Sequence, residues 1–229
     1  MKNCRGVEMF KFNKKEKSSE YINIKGFFSS NPNLNKETIQ FLCRKICDEI
    51  ILNYIFSVLT SEEHKSLYGP RFDQLFIDFY TIERDYKFID SVKTDIENHD
   101  VKIIKNGFLA FPWRKDSLSW MFEKFPHNDF QWKQDTNHSI TLVKPFNIYF
   151  VNGGNHSIAC GRLFKKDSII SCDNAIDYTN ILKEYDYKDG FFINRKGKKI
   201  NEPYSKELLN LFFLGKILVE IENNNNRSD

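Results

Sequence analysis

The segment Phe146-Asn147-Ile148-Tyr149-Phe150-Val151-Asn152-Gly153-Gly154-Asn155-His156-Ser157-Ile158-Ala159-Cys160-Gly161-Arg162 restricts the fold more than any other. An apolar run of strand length ends at a glycine pair, and a short helical pattern, about His156 to Phe164, begins at once. A strand that feeds directly into a helix lays that helix against its own sheet. Gly153 and Gly154 let the backbone turn tightly and come close to another group. The first amides of the helix then point outward at the positive end of its dipole, which suits an anion. Asn155 and Ser157 add side-chain donors, and His156 can donate to a phosphate or act as acid or base near pH 7. The plainer reading of the same residues is a tight strand–helix turn with no ligand.

The flanking patterns divide the chain. Residues 1–34 read as a polar, Lys-rich arm, in which Lys11, Lys14, Lys15 and Lys17 are either solvated or touch an anionic partner. Asn35 can cap a helix carrying Glu37 in its first turn and Ile39, Leu42, Ile46, Ile50, Tyr54, Ile55 and Val58 at helical spacing. Gly69-Pro70 breaks the chain, and the stripe Phe72, Leu75, Phe76, Phe79, Ile82, Tyr86, Ile89, Val92 and Ile96 predicts a second long helix from Arg71 to Glu97. The two helices make a lobe over residues 35–100, with a homodimer seam as one use for the second.

Beyond Asp100 the texture is mixed. Val101–Ile104, Phe108–Phe111, Ser139–Val143, Phe146–Val151 and Ser168–Ser171 read as strands, and Pro112-Trp113-Arg114 opens a helix through Phe125. Turn signals at Asp189-Gly190 and Lys196-Gly197 frame a hairpin, and Ser205 caps a last helix. The expected fold is α+β: a helical N-terminal lobe packed on a small mixed-sheet core over residues 101–222, followed by a polar tail, 223–229.

Composition excludes classes rather than choosing one. With 41% hydrophobic and 28% charged residues in 229, the chain can bury an ordinary core and is not disordered throughout. A net charge of +3 announces neither nucleic acid nor membrane, and no run reaches the length of a transmembrane helix. Five cysteines, an odd count, with no signal-like run in Met1–Glu20, point to reduced thiols and a cytoplasmic setting. Heavy use of Asn, Lys and Ile suits an AT-rich coding sequence of the kind carried on bacterial mobile elements.

Two further features bear on chemistry. Asn137-His138-Ser139-Ile140 recurs as Asn155-His156-Ser157-Ile158, eighteen residues later, so two imidazoles can face one pocket. Asp135 stands three residues before His138 and can orient it or serve as a base, and Arg114 is a candidate phosphate fork. In the plainer reading, His138 caps a strand and Asp135 closes a turn. No short ligand pair such as His-Glu-x-x-His or Cys-x-x-Cys is present, so no metal ligands are assigned. Cys160 lies in an apolar stretch where thiols are usually inert.

The run Phe150 to Ala159 resembles the phosphate-binding junction of the sulfiredoxin/ParB-like superfamily, in which a strand runs into a Gly-Gly turn and a short helix. The resemblance covers about 25 residues and implies a nucleotide or other phosphorylated ligand at Gly153, Gly154, Asn155, His156 and Ser157; with no Walker-type Lys in the chain, phosphoryl chemistry there would rely on the turn, the basic side chains and Mg²⁺. Asn155 stands where sulfiredoxin has its cysteine, which argues against sulfinic-acid reduction. Ser157 stands where the family has an arginine, which weakens the phosphate clamp. Across residues 105–220 the chain also resembles an uncharacterised bacterial family with Pro-Trp-Arg, Trp–Asp–Asn-His and Gly-Gly-Asn-His-Ser segments, here Pro112–Arg114, Trp132–His138 and Gly153–Ser157.

The first expectation is thus a nucleotide- or phosphate-binding protein, with phosphoryl transfer or nucleotide hydrolysis as its chemistry if it is an enzyme. His138, His156 and Asp135 would do the proton work; Gly153, Gly154, Asn155, Ser157 and Arg114 would hold the phosphates. Two alternatives stay open. One is a nucleic-acid-binding or -cutting protein of a mobile element or antiviral defence system, using Arg162-Lys165-Lys166 and Arg195-Lys196-Lys198-Lys199. The other is a non-enzymatic immunity or regulatory protein.

Overall fold

The computed structural model describes residues 23–24, 26–28, 30–31, 35–61, 69–70, 75–77, 93–127 and 132–225. Asn35 opens α1, Lys36–Thr60, its side chain accepting the Thr38 amide at 2.9 Å. The buried face of α1 is Ile39, Cys43, Cys47, Ile50, Ile51, Tyr54, Ile55 and Val58. The expected stripe is therefore rotated at its start: Leu42 is exposed and Ile46 half-buried, while the two small thiols take the core positions.

A five-stranded mixed sheet follows, built from β1, Lys93–Lys102; β2, Phe108–Leu109; β3, Ser139–Lys144; β4, Ile148–Gly153; and β5, Ile169–Asp177, in the order β1-β5-β3-β4-β2. β1/β5 and β3/β4 run antiparallel; β3/β5 and β2/β4 run parallel. Helices α2, Lys115–Lys124, and α3, Asn155–Leu163, cover one face. The other face meets α4, Thr179–Glu184, the hairpin β6, Tyr185–Lys188, and β7, Phe191–Asn194, and the long α5, Lys206–Asn225. Ser205 caps α5, its hydroxyl accepting the Leu208 amide at 3.2 Å.

β4 shows why this sheet is buried on both sides. Ile148 and Phe150 point into a cluster with Phe76, Phe146, Tyr178 and Phe212, while Tyr149 and Val151 point into a second cluster with Phe108, Leu118, Ile158 and Ala159. α1 contributes to both clusters, Ile50 and Tyr54 to the first and Ile51, Ile55 and Val58 to the second. The architecture is the expected α+β, with a helical N-terminal part and a mixed sheet.

Several elements differ from expectation. Lys93–Glu97, placed in a helix from Arg71 to Glu97, are the first half of β1. Ile96 fits helical spacing, but from Lys93 onward the β5 ladder sets the conformation, as pairing often overrides local preference. β1 is a polar edge strand with Val101 alone fully buried, and its register with β5 shifts between Asp95 and His99. Leu75, Phe76 and Ile77 form a bend, and all three are buried; three consecutive core residues do not make one stripe of a helix. The remainder of that expected helix lies outside the described residues. In the expected arm, Ile24 and Phe28 are helical and pack on the first cluster. Strand Val101–Ile104 ends at Lys102, β2 spans only two residues, β5 is longer than expected, and α5 continues through Asn225 into the expected tail. Among the described residues no helix is long and apolar enough to cross a membrane.

Candidate functional site

The β4–α3 junction lies where the sequence places it, with Gly154 as the residue before the helix at φ 79° and ψ 25°. This is the left-handed region, which glycine enters without strain. A second constraint is steric. A Cβ on Gly153 would lie 2.3 Å from the Asn137 carbonyl oxygen, and one on Gly154 would lie 2.3 Å from His138 Cδ2. The space that the two glycines open is thus taken by the chain's own turn, Asp135–His138, closed by the His138 amide donating to the Asp135 carbonyl at 3.1 Å. Antiparallel pairing explains the meeting: Ser139 of β3 faces Gly153 of β4, so the residue before one lies over the residue after the other.

His138 is held at both ring nitrogens. Its Nδ1 is 2.6 Å from Asp135 Oδ1 and its Nε2 is 2.6 Å from Ser157 Oγ. Nδ1 also lies 3.1 Å from the Asp135 amide, a contact that would require the opposite tautomer. The shorter, charge-assisted contact decides: we assign the proton to Nδ1, donated to the carboxylate, with Nε2 accepting from the Ser157 hydroxyl. The Trp132 ring stands edge-on to the imidazole, with centroids 4.7 Å apart. Asp135 is exposed, and its carboxyl is held below the ordinary value first by the Asn137 amide, which donates to Oδ1 at 2.8 Å, and then by His138. Asp135, His138 and Ser157 therefore form a connected acid–imidazole–hydroxyl line.

His156 is built differently. Its Nε2 accepts two backbone amides, from Arg114 at 2.9 Å and from Trp113 at 3.2 Å. The lone pair needed for a base is thereby occupied, and Nδ1 carries the proton of the neutral ring. Burial, then the nearby Arg114 charge, lower its pKa to about 4. Trp113 packs edge-on against it at 4.7 Å. Asn155 acts in the same way, accepting the Phe111 amide at 2.7 Å and donating to the Val151 carbonyl at 3.3 Å. The two side chains expected to meet a ligand also bind the Phe111–Arg114 segment to the head of α3.

A cleft of about 380 Å³ lies over this junction, lined by Trp113, Trp120, Trp132, Lys133, His138 and Ser157 among others. His138 and His156 both line it, as the doubled tetrapeptide implies, with Asp135 and Gly154. The Arg114 side chain is exposed and its charge bears on His156; Arg114 is not part of the cleft lining. No local pattern in the sequence marks Trp120 or Lys133 as site residues, or Ser157 as the partner of His138.

The remaining candidates lie elsewhere. Arg162 reaches Asp48 through Nε at 2.7 Å and Nη2 at 3.0 Å, and its Nη1 donates to the carbonyls of Ile103 and Ile104. Its guanidinium is therefore committed within the fold rather than offered to a nucleic-acid backbone. Lys166 donates to the His127 carbonyl at 2.8 Å, and Lys199 lies over the Phe191 ring. Cys43, Cys47, Cys160 and Cys172 are free and buried; burial pushes the Cys43 and Cys160 thiols up to about 12. Cys4 lies outside the described residues.

Residues 8–225 match the model of a protein family of unknown function, DUF6710, and the chain belongs to that family. No curated protein and no solved structure matches the chain significantly.

Proposed function

We propose that the cleft at the head of α3 binds a nucleotide or other phosphorylated small molecule and that His138, oriented by Asp135, handles a proton there. The observation that carries this reading is the convergence of an oriented imidazole, the Ser157 hydroxyl and Lys133 on one cleft at the positive end of a helix. Aromatic rings from Trp113, Trp120 and Trp132 give the cleft apolar walls suited to a base or another flat group. The likeness of the Gly-Gly turn to the sulfiredoxin/ParB-like junction supports the same ligand class. In this reading Asn155 and His156 are positioning residues, holding the head of α3 against Phe111–Arg114, and the Arg114 charge near His156 favours an anion.

The test is a thermal-shift panel on the full chain: inorganic phosphate, ATP, CTP, GTP, NAD and cyclic nucleotides, each with and without Mg²⁺. A binder at about a hundred times its dissociation constant adds roughly 2.7 kcal/mol. The shift should be lost in Lys133→Glu, whose side chain is exposed and lies on the cleft wall. No shift with any phosphate compound, or a shift unchanged in that variant, would remove the reading.

A further inference from the structure

We propose that Ser157 is a nucleophile, activated by His138 and Asp135, that attacks the phosphoryl group of a phosphate ester bound in the cleft. The inference rests on the phosphate reading of the cleft and adds a reaction and a residue to it.

The geometry is that of an activated hydroxyl. Ser157 Oγ lies 2.6 Å from His138 Nε2, within proton-transfer reach, and the ring's other nitrogen lies 2.6 Å from a carboxylate. Ser157 Oγ is also 3.0 Å from the Gly154 carbonyl oxygen, but one hydroxyl proton serves one acceptor, and Nε2 is the nearer. Ser157 is only 5% exposed and lines the cleft. The Gly154 backbone sets the ring's position, because any side chain there would displace it. Ser157 is the third residue of α3, so charge developing on a phosphoryl oxygen forms near amides that the helix leaves without an internal partner.

The step balances without a further reactant. As Oγ bonds to phosphorus, its proton passes to His138 Nε2, and Asp135 stabilises the imidazolium. The phosphorus–oxygen bond to the alcohol breaks, and Nε2 returns the proton to the departing oxygen. A phosphoserine remains. Water, deprotonated by Nε2, then attacks the phosphorus; the bond to Oγ breaks, and Oγ regains a proton. The sum is ester and water to alcohol and phosphate.

The same contacts would also serve a purely structural clip, so the test reads reactivity. The full chain is treated with a fluorophosphonate, which transfers its phosphorus to an activated serine with loss of fluoride, and adducts are mapped by peptide mass spectrometry. The expected result is an adduct on Ser157, absent in His138→Ala and formed at least ~10-fold more slowly in Asp135→Asn. Asp135 is exposed, so the second variant keeps the test open if the first fails to fold. No adduct on Ser157 in the wild-type chain, or labelling at equal rates in folded His138→Ala, overturns the proposal. Phosphate and ATP are added as competitors and in parallel melts. An adduct with neither protection nor a thermal shift keeps the nucleophile and removes the phosphate class, which overturns the proposal as stated. A shift with no adduct keeps the phosphate site and overturns the nucleophile.

Discussion

His138 and His156 share the same neighbours in sequence, stand edge-on to a tryptophan at the same 4.7 Å, and reach the same cleft. Their surroundings then divide them. The first copy of Asn-His-Ser-Ile leads into β3, and its ring lies between a solvent-facing carboxylate and a hydroxyl, both able to exchange protons. The second leads into α3, and its ring nitrogen accepts amides that cannot give up their protons. A histidine's role follows from what faces its nitrogens, not from the peptide that carries it.

The largest effect expected from this contrast is on reaction. If the cleft is catalytic, His138→Ala should lower turnover of the true substrate about 10²–10⁴-fold in the folded protein, a loss far beyond the stability it gives up with its mostly buried ring against Trp132. A comparable loss of turnover in a His156 variant that melts like wild type would reverse the assignment. Next in size is stability. His156→Ala removes the acceptor of the Arg114 amide and opens a hole beside Trp113, so denaturant unfolding should show a loss of about 3 kcal/mol. His156→Gln, with a carbonyl to accept an amide, should recover part of it.

Gly154→Ala probes the His138 contacts from the backbone side. The left-handed conformation costs an alanine roughly 1–2 kcal/mol, and its methyl would displace the His138 ring. The variant should therefore lose moderate stability together with most fluorophosphonate reactivity, measured by melt and labelling on one sample. The smallest effect is on pH dependence. The folded-state pKa of His156 is lowered from 6.5 to about 4. Between these values the unfolded chain binds the proton and the folded one does not. The stabilising contribution is therefore present above about pH 6.5 and is lost as the pH falls toward 4. Melts across this range should show a steeper acid loss in the wild type than in His156→Gln.

Much of the fold was legible because it rests on local signals. Asn35 and Ser205 are side-chain caps, Asp189-Gly190 is a hairpin turn, and Gly153-Gly154 ends a strand before a helix; each needs only a few adjacent residues. β1 was not legible in its first half, because Ile96 fits a helical period and only the distant partner β5 makes the segment a strand. The site divides along the same line. The repeated tetrapeptide placed both histidines at one cleft. Which ring would meet Ser157, and which would meet the Trp113 and Arg114 amides, depends on the β3–β4 register and on where the chain returns after β2; neither is written in local spacing. The glycine pair was legible as a close approach, but the approaching group is the protein's own Asp135–His138 turn.

The division of labour between the two rings is tested most directly by nitrogen-15 spectroscopy of the imidazoles on the full chain, followed through a pH titration and through addition of phosphate and ATP. His156 should hold its proton on Nδ1, stay neutral well below pH 6.5 and respond less to ligand than His138, whose signals should move as ligand fills the cleft. A His156 ring that titrates near 6.5 or shifts with ligand, beside a His138 ring that ignores it, would contradict the account.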